Sequence, residues 1–136
     1  MKTDALNAFA MWQKTGQIKG VPVRQFPIVG NGASMPSGSD SYGYLITEVN
    51  DDGTEFKYDC RSIAYDDVKK DYVQVWVHAG TARLITRKNS RARGCYGEVD
   101  EQTGKIRAKF CTRSWFGLIY PLDTKGAPAD YMDPSF

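Results

Sequence analysis

Three cations alternate along the segment Lys105-Ile-Arg-Ala-Lys109, so that Lys105, Arg107 and Lys109 share one face of an extended strand and Ile106 and Ala108 the other. Arg83 and Arg87 are spaced to do the same on a neighbouring strand, and Lys88, Arg91 and Arg93 crowd the connection between Arg87 and Cys95. Like charges gathered on one surface repel unless acids or a polyanion compensate them. The chemistry that suits these residues is neutralisation of backbone phosphates with release of counterions. The competing reading is a solvated face balanced by the acidic hairpin at residues 50–59.

A single nucleic-acid strand also needs flat side chains, because every base offers a π-face whatever its sequence. Trp76 and His78 lie opposite the valines of their segment, and Tyr42, Tyr44, Tyr96 and Trp115 are further candidates. Core burial competes for each of them.

Catalytic constellations are weak by comparison. His78 is the single histidine, and no local motif turns Cys60, Cys95 or Cys111 into a nucleophile beside it. The Asp51-Asp52 and Asp66-Asp67 pairs fall in expected turns, where aspartate is favoured for backbone reasons. Gly30-Asn-Gly32 lacks the Gly, Lys and Ser or Thr of a phosphate loop. Three cysteines without a CxxC spacing read as reduced thiols. The expectation is a non-enzymatic protein with no metal and no cofactor.

Two short segments resemble known families. The final residues, Ala129-Asp-Tyr-Met-Asp-Pro-Ser-Phe136, resemble the C-terminal tips of bacterial and phage single-stranded DNA-binding proteins, which recruit partner proteins. That resemblance covers eight residues and implies Asp130, Asp133 and Phe136 as partner contacts, with the Phe ring in a pocket and its carboxylate near a basic group. Residues 27–34 and 42–49 resemble the closing strands of calcineurin-like metallophosphoesterases. Those enzymes need several histidines and aspartates for two metals, so no activity carries over.

These residues must be positioned by a chain of 136 residues with 41% apolar side chains, enough to bury a core without a disulfide or metal. The net charge of +2 hides an uneven distribution: nine acids against four bases at residues 40–82, and nine bases against three acids at residues 83–113. The spacing of Leu6, Phe9, Ala10 and Trp12 predicts a helix over 4–15, capped by Thr3 or Asp4 and stopped at Gly16. Two prolines at residues 21–27 predict a connector or edge strand, and the turn formers at 30–43 a mobile surface loop, itself a candidate binding loop. Segments 44–49 and 54–62, joined by Asn50-Asp-Asp-Gly53, predict a β-hairpin with Phe56, Tyr58 and Cys60 inward. Residues 72–78 alternate strictly, Gly80-Thr81 reads as a turn, and strands are expected at 82–87, 95–100 and 105–112.

The resulting fold class is mainly β: a small antiparallel barrel or sandwich with one N-terminal α-helix, such as an oligonucleotide-binding barrel. Residues 1–120 form one expected domain and 121–136 an extended tail. No apolar run is long enough for a signal peptide or a membrane span, which gives the expectation of a soluble, cytoplasmic protein without a membrane partner. The expected function is binding of nucleic acid, single-stranded and weakly sequence-specific. The alternative is a protein-binding or structural module, such as a phage-type particle subunit or small inhibitor, that docks on a protein partner or on itself through charged surfaces and terminal arms.

Overall fold

The computed structural model of the chain describes residues 3–37, 40–107, 115–116 and 118–120. It opens with helix α1 (Thr3–Thr15), which ends where Gly16 takes the left-handed conformation at φ +69° and donates its amide to the Trp12 carbonyl. The inward face is Ala8, Phe9 and Trp12, whereas Leu6 stays 51% exposed and Ala10 is also outward. Trp12 Nε1 donates to the Val23 carbonyl at 2.7 Å, and the Phe9 and Trp12 rings pack on Phe26 at 5.4 and 5.9 Å. Between helix and main sheet lies a miniature hairpin of β1 (Gln17–Ile18) and β2 (Val21–Pro22). Its turn residues Lys19 and Gly20 both have positive φ, as the tightest hairpin turns require.

The main sheet comprises β3 (Gly32–Ser37), β4 (Asp40–Val49), β5 (Glu55–Asp66), β6 (Asp71–Leu84), β7 (Tyr96–Glu98), β8 (Trp115–Phe116) and β9 (Leu118–Tyr120). All neighbours are antiparallel, in the order β8-β7-β6-β5-β4-β3-β9. One residue separates β8 from β9 in the sequence, yet they complete opposite ends of the sheet. Taken as one strand, they close it into a nearly complete six-stranded barrel.

Alternation fills the interior with aromatic rings. Phe116 meets Tyr58, Phe56 and Tyr44 at centroid distances of 4.7, 5.3 and 5.5 Å, and Tyr96 lies 5.1 Å from Phe56. Phe56 and Tyr58 face inward, as the alternation requires, whereas Cys60, next on that face of β5, is only half-buried. The buried Tyr96 hydroxyl donates to the Gly53 carbonyl at 2.6 Å, and burial pushes the phenols of Tyr58 and Tyr96 well above their usual range. Gly53 also gives the β4–β5 turn its positive φ and makes room for Phe26, since a Cβ there would lie 2.5 Å from that ring. The Asp52 carboxylate of this turn reaches Lys19 Nζ at 2.7 Å, tying the turn to the miniature hairpin.

Three expectations are overturned. The described part of residues 30–43 is no surface loop but holds β3 and the start of β4, paired from Gly32↔Leu45 to Ser37↔Asp40. Small residues there serve close packing: Ala33 is fully buried between two neighbouring strands. Pro36 lies beyond the three residues that β9 pairs with, where a missing N–H loses no ladder bond on that side. Gly80-Thr81 is no turn either, because β6 runs through it with a bulge that leaves Ala79 unpaired. Gly80 is there for packing, as a Cβ would sit 2.8 Å from the Tyr58 hydroxyl. Residues 105–107 form only a single bridge, Val99↔Ile106, in place of the expected strand, whose remainder lies outside the described residues.

Candidate functional site

Between the end of β6 and the start of β7 the chain makes a compact excursion over residues 85–95. Its base is closed by Ile85 N donating to Cys95 O at 2.8 Å and Gly94 N donating to Ile85 O at 3.0 Å. Within it, Ser90 N donates to Arg87 O, Arg93 N to Ser90 O and Cys95 N to Ala92 O, at 3.1, 3.2 and 2.8 Å. Ala92 is 3% exposed and anchors the loop on the barrel. Gly94, at φ +90°, presses the base against β2: a Cβ would lie 2.2 Å from the Pro22 carbonyl oxygen. Turns fastened in this way leave little backbone freedom to lose on binding.

Such a backbone turns Arg87, Lys88, Arg91 and Arg93 outward, all exposed, and residues 86–94 contain no acid. Close packing at Gly94 brings in Arg24, which lines a small cleft with Arg93, Cys95 and Phe116. None of these five cations forms an ion pair with a described carboxylate, in contrast to Lys19, Lys57, Arg83 and Arg107. On the loop's other flank, Arg87, Ala92, Ile106, Arg107 and Trp115 line a second cleft of about 360 Å³. That size falls within the range of small-ligand sites. Burial raises the Cys95 thiol above its usual range, with Arg24 acting the other way, so the thiol rests protonated.

No protein-family model matches the chain, and no curated protein or solved structure is significantly similar to it. Geometry and charge therefore carry the reading of the loop, and neither short resemblance extends to a family.

The structure divides the residues singled out from sequence into groups. Arg87, Lys88, Arg91 and Arg93 come together on the loop. Arg83 is occupied within the sheet, its Nε 3.0 Å from Glu55 Oε1 and its Nη1 donating to the Gly104 carbonyl at 2.7 Å. Arg107 lies 3.6 Å from Glu98, and Lys105 is exposed after the turn at Gly104. Trp76 and His78 do occupy the outer face of β6, but seven residues at ~3.3 Å each carry Trp76 roughly 23 Å from Arg83, away from the loop. There Trp76 packs under the Arg61 guanidinium at 5.5 Å, and His78 lies 3.9 Å from Glu101. Tyr96 is a core residue rather than a stacking platform, being 1% exposed. Tyr44 packs on Tyr58 and Phe116, whereas Trp115 is half-buried at the cleft beside Arg87. Lys109, Asp130, Asp133 and Phe136 lie outside the described residues. Among the described residues, no three His, Cys, Asp or Glu side chains gather as metal ligands would. Sequence reasoning missed Arg24, an isolated cation in a connector that only the packing of Gly94 on Pro22 brings to the site.

Proposed function

We propose that this protein binds single-stranded nucleic acid, without catalysis, through the 85–95 loop and its flanks. The observation that carries the reading is four exposed cations on a loop held by its own backbone hydrogen bonds, with no acid among residues 86–94. Arginine suits phosphate because its planar fork donates two parallel hydrogen bonds, and Arg24, Arg87, Arg91 and Arg93 supply four such forks. The cleft beside Trp115 and Arg107 accommodates an unstacked base, for which an aromatic or guanidinium plane supplies the contact. Contacts to phosphates and π-faces carry little sequence information, so selectivity for sequence is weak. Selectivity for single strands follows from the cleft, which needs a base free of its partner.

Fluorescence anisotropy of a labelled thirty-base single strand and the matching duplex tests this reading. The expected result is micromolar or tighter binding to the single strand, weaker binding to the duplex, and a marked weakening of both at low salt when Arg87, Lys88, Arg91 and Arg93 are changed together to Ala. Absence of binding at low salt, or binding undiminished in that variant, overturns it.

A further inference from the structure

Strands β5 and β6 outrun the barrel. β4 pairs with β5 only as far as Asp59, and β7 reaches β6 only at Ala82, Arg83 and Leu84. Beyond those points the pairs from Cys60↔Val77 to Asp66↔Asp71 form a two-stranded ribbon whose two edges have no strand partner among the described residues. Opposed residues share a face. One face carries Arg61, Trp76, Ile63, Gln74, Tyr65 and Tyr72, and the other Cys60, Val77, Ser62, Val75, Ala64 and Val73. Ile63, Tyr65, Val68, Tyr72 and Val77 are 73%, 52%, 92%, 70% and 42% exposed, and make up most of the exposed large apolar side chains among the described residues. A two-stranded ribbon alone is marginal in water, and apolar exposure of this kind marks a contact surface.

The two edges differ. The β5 edge carries Asp59, Arg61 and Asp66, whereas β6 offers residues 72–78 without an Asp, Glu, Lys, Arg, proline or glycine. Exposed edge strands are normally guarded by charge, proline or a bulge, because their unpaired N–H and C=O groups template another strand. Here the bulge at Ala79 guards only the barrel end of the stretch. We infer that this β6 edge pairs antiparallel with the same edge of a second copy, about a twofold axis at Val75.

Self-complementarity favours a second copy over an unrelated partner. In this register Val75 faces Val75, Val73 of one copy faces Val77 of the other, Gln74 faces Trp76 and Tyr72 faces His78. These are the β-branched and aromatic cross-strand pairs that stabilise sheets. Charge also permits it: Arg61, Lys69 and Lys70 balance Asp66, Asp67 and Asp71, so two ribbons approach without net repulsion. The same neutrality gives a polyanion nothing to hold. Twofold symmetry closes the assembly at a four-stranded β5-β6-β6-β5 sheet. Seven paired residues span ~24 Å, and a strip ~10 Å thick covers roughly 250 Å² per copy, below a standard stable interface, so the dimer forms in the micromolar range or weaker.

Sedimentation equilibrium of the full chain from micromolar to millimolar concentration, with Val75→Lys and Val75→Glu separately and mixed, tests the inference. The wild type is expected to dimerise reversibly. Each variant places two like charges face to face and weakens the dimer by at least about tenfold, and an equimolar mixture, which opposes an ammonium to a carboxylate, recovers it. A variant that merely misfolded could not be rescued by mixing. A wild type that stays monomeric throughout, a dimer that tolerates both variants, or a mixture that fails to recover each overturns the inference.

Discussion

Salt titration of oligonucleotide binding separates the loop cations from those already occupied within the sheet. For a single strand, each phosphate contact contributes about −0.7 to the slope of log K against log salt. Five cations without a described acidic partner, Arg24, Arg87, Lys88, Arg91 and Arg93, set a limiting slope near −3.5 on that basis. Between about 50 and 200 mM salt the affinity of the wild type then falls roughly a hundredfold. Changing the four loop cations to Ala leaves Arg24 alone, a slope near −0.7, and a fall of less than about threefold over the same range. Arg83→Ala serves as the contrasting variant. Its guanidinium is held by Glu55 and the Gly104 carbonyl, so its loss leaves the slope unchanged. The assay is anisotropy with one labelled strand at five or six salt concentrations. A slope that stays steep in the quadruple variant, or that flattens as much in Arg83→Ala, refutes the assignment of phosphate contacts to the loop.

Further expectations concern what holds the loop and barrel. Tyr96→Phe removes the one hydroxyl that satisfies the Gly53 carbonyl in the core and destabilises by about 1–3 kcal/mol, read from the urea midpoint at constant m-value. Gly94→Ala forces a Cβ against the Pro22 carbonyl at a positive φ, costs about 2 kcal/mol or more, and weakens oligonucleotide binding by loosening the loop base. Burial acts to raise the Asp52 carboxyl, but Lys19 and hydrogen bonds from Thr54 outweigh it and hold it at about 2, below its usual 3.8. A depressed carboxyl stabilises the folded state above its unfolded pKa, so this contribution is complete at neutral pH and disappears as pH falls from about 4 to about 2. Asp52→Asn abolishes that part of the pH dependence; denaturation midpoints that fall equally in variant and wild type would falsify the link between turn and miniature hairpin.

Legibility from sequence followed the range of the interactions. The hairpin at Asn50–Gly53 and the alternation of residues 72–78 were readable because local geometry dictates both. Residues 30–43 were not, since the glycines and serines that signal a loop also allow a strand to sit close between two neighbours. Alternation assigned Val73, Val75 and Val77 to one face but held no sign that the barrel ends at Asp59 and Gly80, leaving those valines on a ribbon. Burial there depends on where β4 and β7 stop, and distant parts of the chain decide that. The basic surface divided for the same reason: Arg83 meets Glu55 because β5 and β6 pair in that register, and a count of charges contains no register. Residues 86–94, by contrast, contain no acid in any fold, so that part of the charge pattern is a property of the sequence alone.

The placement of β8 and β9 on opposite ends of one sheet has a consequence for synthesis. β3 and β7 both wait for residues 115–120 before their outer edges are covered, and most of the chain separates Gly32 from Tyr120. A nascent chain emerging in order therefore carries the β3 edge open through most of its translation and adds the β7 edge only once Glu98 is made, with the latch for both arriving late and at once. Interruption short of that segment leaves a ring open at each end instead of a domain lacking one strand. Time on the ribosome, more than stability once folded, is where this barrel is exposed to chaperones, proteases and other unfinished copies of itself.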